Sequence, residues 1–492
     1  MKIEKYPLPT STPEEMGLPS SAITRYIQAL NNQRLNMHDV LIAVDGRLVF
    51  ETYWKPFDRN YQHRLYSCSK SIVSCAVGYL IGQGLMRLDD VCVDFFKDKA
   101  PKEIHPWLRE MTIRDLLRMA TCYDIGASYS PAISDWEASF FTCPVSHKPG
   151  QVFSYCTTAS TMLSAIIRRV TGKNFTEVLR PVFDEIGVSD EIFCVKAPDG
   201  FEWGGSGVCA TAREFMKIAL LCLNYGKWNG KQLLPEDYMR EATSVQINNG
   251  AYHTMRDEDE GYGYHFWKIR DGFAMHGMGG QYALCIPEKK IVLITNGYDN
   301  LSRRSLCEIF CAFYREILPE LKKGPIAPDK NAQRELYALA ESLAVPLPAG
   351  ETGSPVEKTV SGKTYVLEEN RMRMRWVRFD FSENGGVMAY ENATGVHKLP
   401  FGRTEYARGP FPETHYSDRI IGTPAGRGLD SMTAAAWRRP NEMMIYCHII
   451  DVCHGNLRIA VSFEGDTVTL LAHKDAEWFL DDYYGFASGK WA

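Results

Sequence analysis

The stretch from Tyr66 to Gly84, YSCSKSIVSCAVGYLIGQG, holds a single charged residue, Lys70. Its apolar residues Ile72, Val73, Ala76, Val77 and Leu80 suit a helix buried in a core, around which other elements must pack. At 492 residues the chain exceeds what one hydrophobic core usually organises, so two domains, or one large domain with an appendage, are expected. With 45% hydrophobic and 23% charged residues, it has the composition of a folded globular protein rather than a disordered or fibrous one.

Charge excludes some partners. A net charge of −5 with no basic run gives no pull toward nucleic acid, so no nucleic-acid partner is expected. The N-terminal MKIEKYPLPTSTPEEMG lacks the apolar core of a signal peptide, and no stretch has the length and apolarity to span a bilayer. The expectation is a cytoplasmic protein with no membrane partner. Fourteen cysteines are spread over a large chain and lie mostly in apolar runs (Cys75, Cys209, Cys222, Cys285), which reads as buried reduced thiols.

Along the chain, a helix is expected from near Ser11-Thr12-Pro13-Glu14. DVLIAVDGRLVFETYW then reads as two strands around the turn Asp45-Gly46. Helical signals recur at Thr112 to Asp115, Thr158 to Thr171, Thr211 to Glu214 and Ser302 to Leu321. Thr112 with Asp115 and Thr211 with Glu214 have capping-box spacing. Strands return between Gly261 and Asn296, with turns at Arg270-Asp271-Gly272 and Pro287-Glu288-Lys289. This order predicts an α+β domain over 1–322. Residues 323–360, rich in Pro, Gly, Ala and charge, read as a linker with a short helix near Gln333 to Leu343. Residues 361–492 read as a mainly β domain, barrel-like or sandwich-like, with strands in TYVLEEN, MRWVRFDFS, GVMAYE, MMIYCHIIDV and LRIAVSFEGDTVTLLAH.

Chemistry enters at the head of the apolar run. Ser67 and Lys70 have S-x-x-K spacing, which places them on one helix face. A serine hydroxyl needs a base to become a nucleophile, and a desolvated lysine whose pKa falls toward 7 can serve. Such spacing also arises by chance, and a capping serine followed by a solvated lysine would read identically.

Wider context resolves the choice. LYSCSKSIVSCAVGYLIGQGLMRLDDVCVDFF resembles the nucleophile helix of class C β-lactamases and related serine esterases and peptidases. The resemblance continues, in family order, through TIRDLLRMAT, PGQVFSYCTTASTMLSAIIRRVTGK, GGSGVCATAREFMKIALLCLNYGKWNGKQLLP and HGMGGQYALCIPEKKIVLITNG. It implies a β-lactamase/transpeptidase-like domain, an antiparallel sheet flanked by helices, over roughly residues 10 to 320. It makes Ser67 the acylated nucleophile, Lys70 its proton partner and Tyr155 the tyrosine of the family's Y-x-N motif. It also makes the Ser67 and Met278 amides the oxyanion hole.

Two motif positions depart from a working β-lactamase. Thr157 stands in place of the Y-x-N asparagine, and Met275, His276 and Gly277 stand in place of K-T-G. Thr157, His276, Gly277 and Gly279 are the expected substrate-binding positions, the glycines admitting substrate close to the backbone. GYGYHFW and GMGGQ resemble the group containing 6-aminohexanoate-dimer hydrolases. The sequence thus predicts a serine hydrolase that takes a small ester or amide through an acyl-enzyme and needs no cofactor or metal. Oligomeric state is left open. The alternative is a penicillin- or ligand-binding sensor that acylates without efficient turnover. Cys447-His448 with Cys453-His454 fit no common zinc spacing, and Asp89-Asp90 reads as a loop or cap.

Overall fold

The computed structural model of the protein describes residues 6–124, 126, 132–250, 260–298, 303–413, 428–475 and 483–491. The chain forms two compact units, Met1–Val345 and Pro346–Ala492.

The first unit is built on β1 (Met37–Val44) and β2 (Arg47–Tyr53), which pair antiparallel. Asp45 and Gly46 both take positive φ, 47° and 76°, the geometry a two-residue hairpin turn demands. Short strands β3 (Gln62–Arg64), β4 (Phe193–Cys194) and β5 (Val208–Thr211) form a small separate sheet, and β6 (Lys227–Trp228) and β7 (Lys231–Gln232) a hairpin. β8 (Trp267–Ile269), β9 (Gly272–Gly277), β10 (Gln281–Ile286) and β11 (Ile291–Gly297) complete a six-stranded antiparallel sheet in the order β2-β1-β11-β10-β9-β8.

Every residue of β1, β10 and β11 is buried, so both faces of the sheet are covered. Alternate residues of β10 meet different layers, as strand pleating requires. The Cys285 Sγ lies 3.9 Å from the carbonyl of Ala219 on the Ala212–Leu223 helix. Tyr282 instead packs edge-on against Phe310 of the Arg303–Ala312 helix, with ring centroids 4.9 Å apart.

Helix α2 (Cys68–Gly82) is the apolar run, and twelve of its fifteen residues are buried. It can sit this deep because its neighbours approach closely at glycine. A Cβ at Gly78 would lie 2.4 Å from the Tyr238 ring, and one at Gly82 2.6 Å from Pro235. The capping boxes at Thr112/Asp115 and Thr211/Glu214 both form, each closing a helix start.

The first helix differs from expectation. Thr12 and Glu15 exchange cap hydrogen bonds, but only a 3-10 turn, Glu14–Met16, follows. Gly17 then takes φ 82°, where a Cβ would lie 2.4 Å from the Lys322 carbonyl, and helix α1 runs over Ser20–Asn32 after Pro19. The helix expected from Ser302 begins outside the described residues; its described part is Arg303–Ala312, continued by a π-helical turn, Phe313–Ile317. Within 323–360 a helix spans Lys330–Ser342, its N-terminus capped by Asp329. Gln333 donates from it to Glu14 at 2.6 Å.

The second unit is a closed nine-stranded barrel. Its strands are β12 (Thr364–Leu367), β13 (Trp376–Ser382), β14 (Gly385–Asn392), β15 (Gly395–Gly402), β17 (Asp430–Arg439), β18 (Glu442–Ile450), β19 (His454–Glu464), β20 (Thr467–Asp475) and β21 (Gly485–Trp491). β16 (Ala407–Pro410) pairs on β17 outside the ring. Antiparallel pairing runs from β15 through β14, β13, β12, β21, β20, β19 and β18 to β17, and a parallel contact at Gly402 and Ala434 closes the ring. Of the two arrangements expected, barrel and sandwich, the chain adopts the barrel, whose closure removes free strand edges. Phe379, Phe463, Tyr365, Ile445 and Trp437 fill its interior.

Candidate active site

The site grows from the start of α2. Tyr66 is buried and held at φ 47°, a costly backbone for a bulky residue that persists only where surroundings enforce it. Arg64 contributes: its guanidinium stacks over Tyr66 and Trp203, 4.9 Å from each ring, and donates to the Ser206 carbonyl at 2.9 Å.

Ser67 occupies the N-cap position of α2, yet its side chain makes no capping hydrogen bond. It accepts a hydrogen bond from the Lys70 Nζ at 3.1 Å. Lys70, 1% exposed, donates a second bond to the Gly205 carbonyl at 2.5 Å. The half-buried serine thus sits at the edge of the site with its hydroxyl beside a desolvated amine.

Burial pulls the Lys70 pKa down to about 7, because a charged ammonium loses its hydration there and, among the described residues, no carboxylate pairs with it. The N-terminus of α2 disfavours positive charge further. His265, 2% exposed, is held neutral with a pKa lowered to about 3 by its own burial and by the Lys70 charge, so it adds no second cation.

Tyr155 precedes the Thr157–Thr171 helix, and its ring centroid lies 5.1 Å from the Lys70 Nζ. The ring is stacked on Trp267 at 5.4 Å, and Phe153 and Tyr262 pack around Trp267 at 6.0 and 4.9 Å. An aromatic wall therefore fixes the tyrosine beside the Ser67–Lys70 pair.

The far side is the turn from β9 to β10. Gly277 ends β9 so close to the start of α2 that a Cβ would lie 2.3 Å from the Leu65 carbonyl and 3.3 Å from the Cys68 Sγ. This approach brings Met278 to the head of α2. Among the described residues, neither the Ser67 nor the Met278 amide donates a backbone hydrogen bond. Gly279 and Gly280 carry φ of 89° and 106°, so the turn needs residues without a Cβ.

The remaining expected positions divide. His276 is half-buried, stacked on Tyr282 at 4.5 Å and within 3.0 Å of its hydroxyl, next to Trp267 at 6.0 Å. The Thr157 methyl faces Gly205, where a Cβ would lie 2.6 Å from it. A Cβ on Gly279 would point inward, 3.1 Å from the Gln281 Nε2.

Three participants escaped the sequence reading: Gly205, Trp267 and Gln281. The first had a signal in GGSG, since a Cβ at Gly204 would lie 2.5 Å from Val73 of α2. Ser69 holds this segment by accepting from the Val208 amide at 3.0 Å.

Elsewhere, His448 shares hydrogen bonds with Asn456 at 2.5 Å and Tyr406 at 3.0 Å. Asp89 pairs with Arg114 at 3.1 Å, and Asp90 accepts from the Arg87 amide at 2.7 Å. Among the described residues no group of three or more His, Cys, Asp or Glu could hold a metal ion, and no helix is long and apolar enough to cross a membrane.

An antiparallel sheet with a buried helix carrying Ser67 and Lys70 at its head defines a β-lactamase/transpeptidase-like protein. The chain belongs to the β-lactamase family, whose model matches residues 23–297, and so to a group of β-lactamase-related serine hydrolases. It is 21% identical over 241 residues to a 6-aminohexanoate-dimer hydrolase of Paenarthrobacter ureafaciens, covering 45% of this chain and 59% of that one. The match therefore spans less than two thirds of that relative. A Bacillus anthracis structure provisionally described as a 6-aminohexanoate-dimer hydrolase has a TM-score of 0.51 at 19% identity, over 64% of this chain and 89% of its own. A penicillin-binding protein homologue from Caulobacter crescentus has a TM-score of 0.50 at 15% identity, over 63% and 100%.

Proposed function

We propose that this protein is a serine hydrolase that cleaves a small ester or amide through an acyl-enzyme on Ser67. The observation that carries the reading is the Ser67–Lys70 contact, with a buried amine whose pKa is lowered to about 7. At neutral pH a substantial fraction of Lys70 is unprotonated and can take the Ser67 proton as the hydroxyl attacks the substrate carbonyl. The Ser67 and Met278 amides face the developing oxyanion; removing one such donor typically costs about 3 to 4 kcal/mol of barrier. Tyr155 and Lys70 return the proton to the leaving alcohol or amine, and water then releases the acyl group by the same proton route. Thr157, His276, Gly277 and Gly279 border the substrate. The family membership and the similarity to a protein named 6-aminohexanoate-dimer hydrolase support this class of substrate.

A panel of p-nitrophenyl esters and short amides tests the proposal. Steady turnover by the wild type is expected, whereas a stoichiometric burst with no turnover would favour a sensor that acylates and stops. A fluorophosphonate probe mapped by peptide analysis is expected on Ser67, and label elsewhere removes the assignment.

Two further outcomes follow from the geometry. Tyr155→Phe keeps the stack on Trp267 but removes the phenol, and kcat is expected to fall roughly 100-fold or more with little change in melting temperature. Gly277→Ala forces a methyl against the Leu65 carbonyl and moves the Met278 amide, so kcat should fall about 10- to 100-fold. Wild-type kcat in either variant would contradict the role given to that residue.

A further inference from the structure

The β9–β10 turn is held from behind by one side chain. Gln281 is fully buried. Its Nε2 donates to the Met278 carbonyl at 2.7 Å and to the Gly297 carbonyl at 2.9 Å, and its Oε1 accepts from the Gly297 amide at 3.0 Å. Its own carbonyl accepts from the Cys68 Sγ at 3.3 Å, which ties the same residue to the first turn of α2.

A turn with glycines at both following positions has little intrinsic resistance to rotation of the Met278–Gly279 peptide, because both signs of φ are accessible to glycine. On one side of Met278, Gly277 is fixed by strand register opposite Gln281 and by its approach to Leu65. On the other side, the Met278 carbonyl is fixed by the Gln281 amide. With both flanking peptides held, the direction of the Met278 N–H is determined.

We propose that Gln281 is a positioning residue for hydrolysis: by gripping the Met278 carbonyl and both backbone groups of Gly297, it keeps that carbonyl turned inward and the Met278 N–H aimed at the oxyanion. This rests on the acyl-enzyme reading above. Gln281 touches no reacting atom; it acts through the turn. Its loss would let the carbonyl dipole rotate toward the place where negative charge develops, raising the barrier to chemistry more than it weakens substrate binding.

The test compares Gln281→Leu, Gln281→Glu and a control, Thr295→Val, in the full chain. Thr295 donates to the Gly280 carbonyl of the same turn at 2.8 Å but does not hold Met278. Gln281→Glu keeps the shape and an acceptor for Gly297 while losing both donated bonds, so it reads the effect even where Gln281→Leu folds poorly. For p-nitrophenyl ester turnover, both Gln281 variants are expected to lose about 10- to 100-fold in kcat with KM within about twofold. Fluorophosphonate labelling of Ser67 should slow in parallel, and Thr295→Val should keep kcat within about twofold. Folded Gln281 variants with wild-type kcat and labelling rate, or a Thr295→Val loss as large as theirs, overturn the inference while leaving the hydrolase reading intact. A wild-type protein whose Ser67 is never labelled overturns both.

Discussion

Replacing Ser67 with alanine is expected to abolish turnover, with kcat for the best ester in the panel falling by about four orders of magnitude or more. The size follows from the chemistry. Without the hydroxyl no acyl-enzyme can form, and whatever rate survives comes from water acting in a site whose donors are still in place. The fold should be nearly indifferent, since Ser67 makes no cap bond to α2 and, among the described residues, its side chain bonds to Lys70 alone. A melting temperature within a few degrees of wild type, measured beside the kinetics, separates lost chemistry from lost structure. Hydrolysis persisting in Ser67→Ala at the wild-type rate would move the reaction to another nucleophile.

The second large effect concerns Lys70, where activity and stability are expected to part company. The folded-state pKa is about 7, against about 10.4 for lysine in an unfolded chain. Between these values the unfolded state binds more protons than the folded one, so wild-type stability rises with pH through that window, by up to about 1.4 kcal/mol per unit. Below pH 7 both states are protonated and the full cost, about 5 kcal/mol, is present. Lys70→Met removes the titrating group but leaves the Gly205 carbonyl without its partner, which returns about 1 to 3 kcal/mol. At pH 7 the variant should therefore be inactive yet equal to or more stable than wild type, and its advantage should shrink toward pH 10. Urea melts at pH 7, 8 and 9 measure this; a gap that stays constant with pH would show that Lys70 is not desolvated as described. In the wild type, kcat/KM should rise through an acid limb near pH 7 as Lys70 loses its proton.

Local chemistry made much of this molecule legible. The Asp45-Gly46 turn, the two capping boxes and the apolar α2 depend on residues within a few positions of one another, and each formed as its spacing implies. Where a local signal misled, a distant contact intervened. Thr12 and Glu15 do form cap bonds, but the Lys322 carbonyl packed on Gly17 ends the helix after one turn. β15 and β17 carry weak strand signals, a proline at Pro400 and an alanine run at Ala434 to Ala436. They are strands because their neighbours β14 and β18 supply paired backbone on one side and the barrel core on the other.

The site divides along the same line. Sequence by itself placed Ser67 and Lys70 one helical turn apart, and the family resemblance carried by its motifs pointed to Tyr155 and the glycine-flanked Met278 as companions. Tertiary structure alone decided what makes the lysine a candidate base. Its pKa falls because the domain closes over it, and its second partner, Gly205, lies 135 residues away. The Gln281 grip likewise ties the β9–β10 turn to Gly297 of β11, which only the folded sheet brings beside it. Desolvation and hydrogen bonds between distant segments are properties of the packed chain, and no window of sequence contains them.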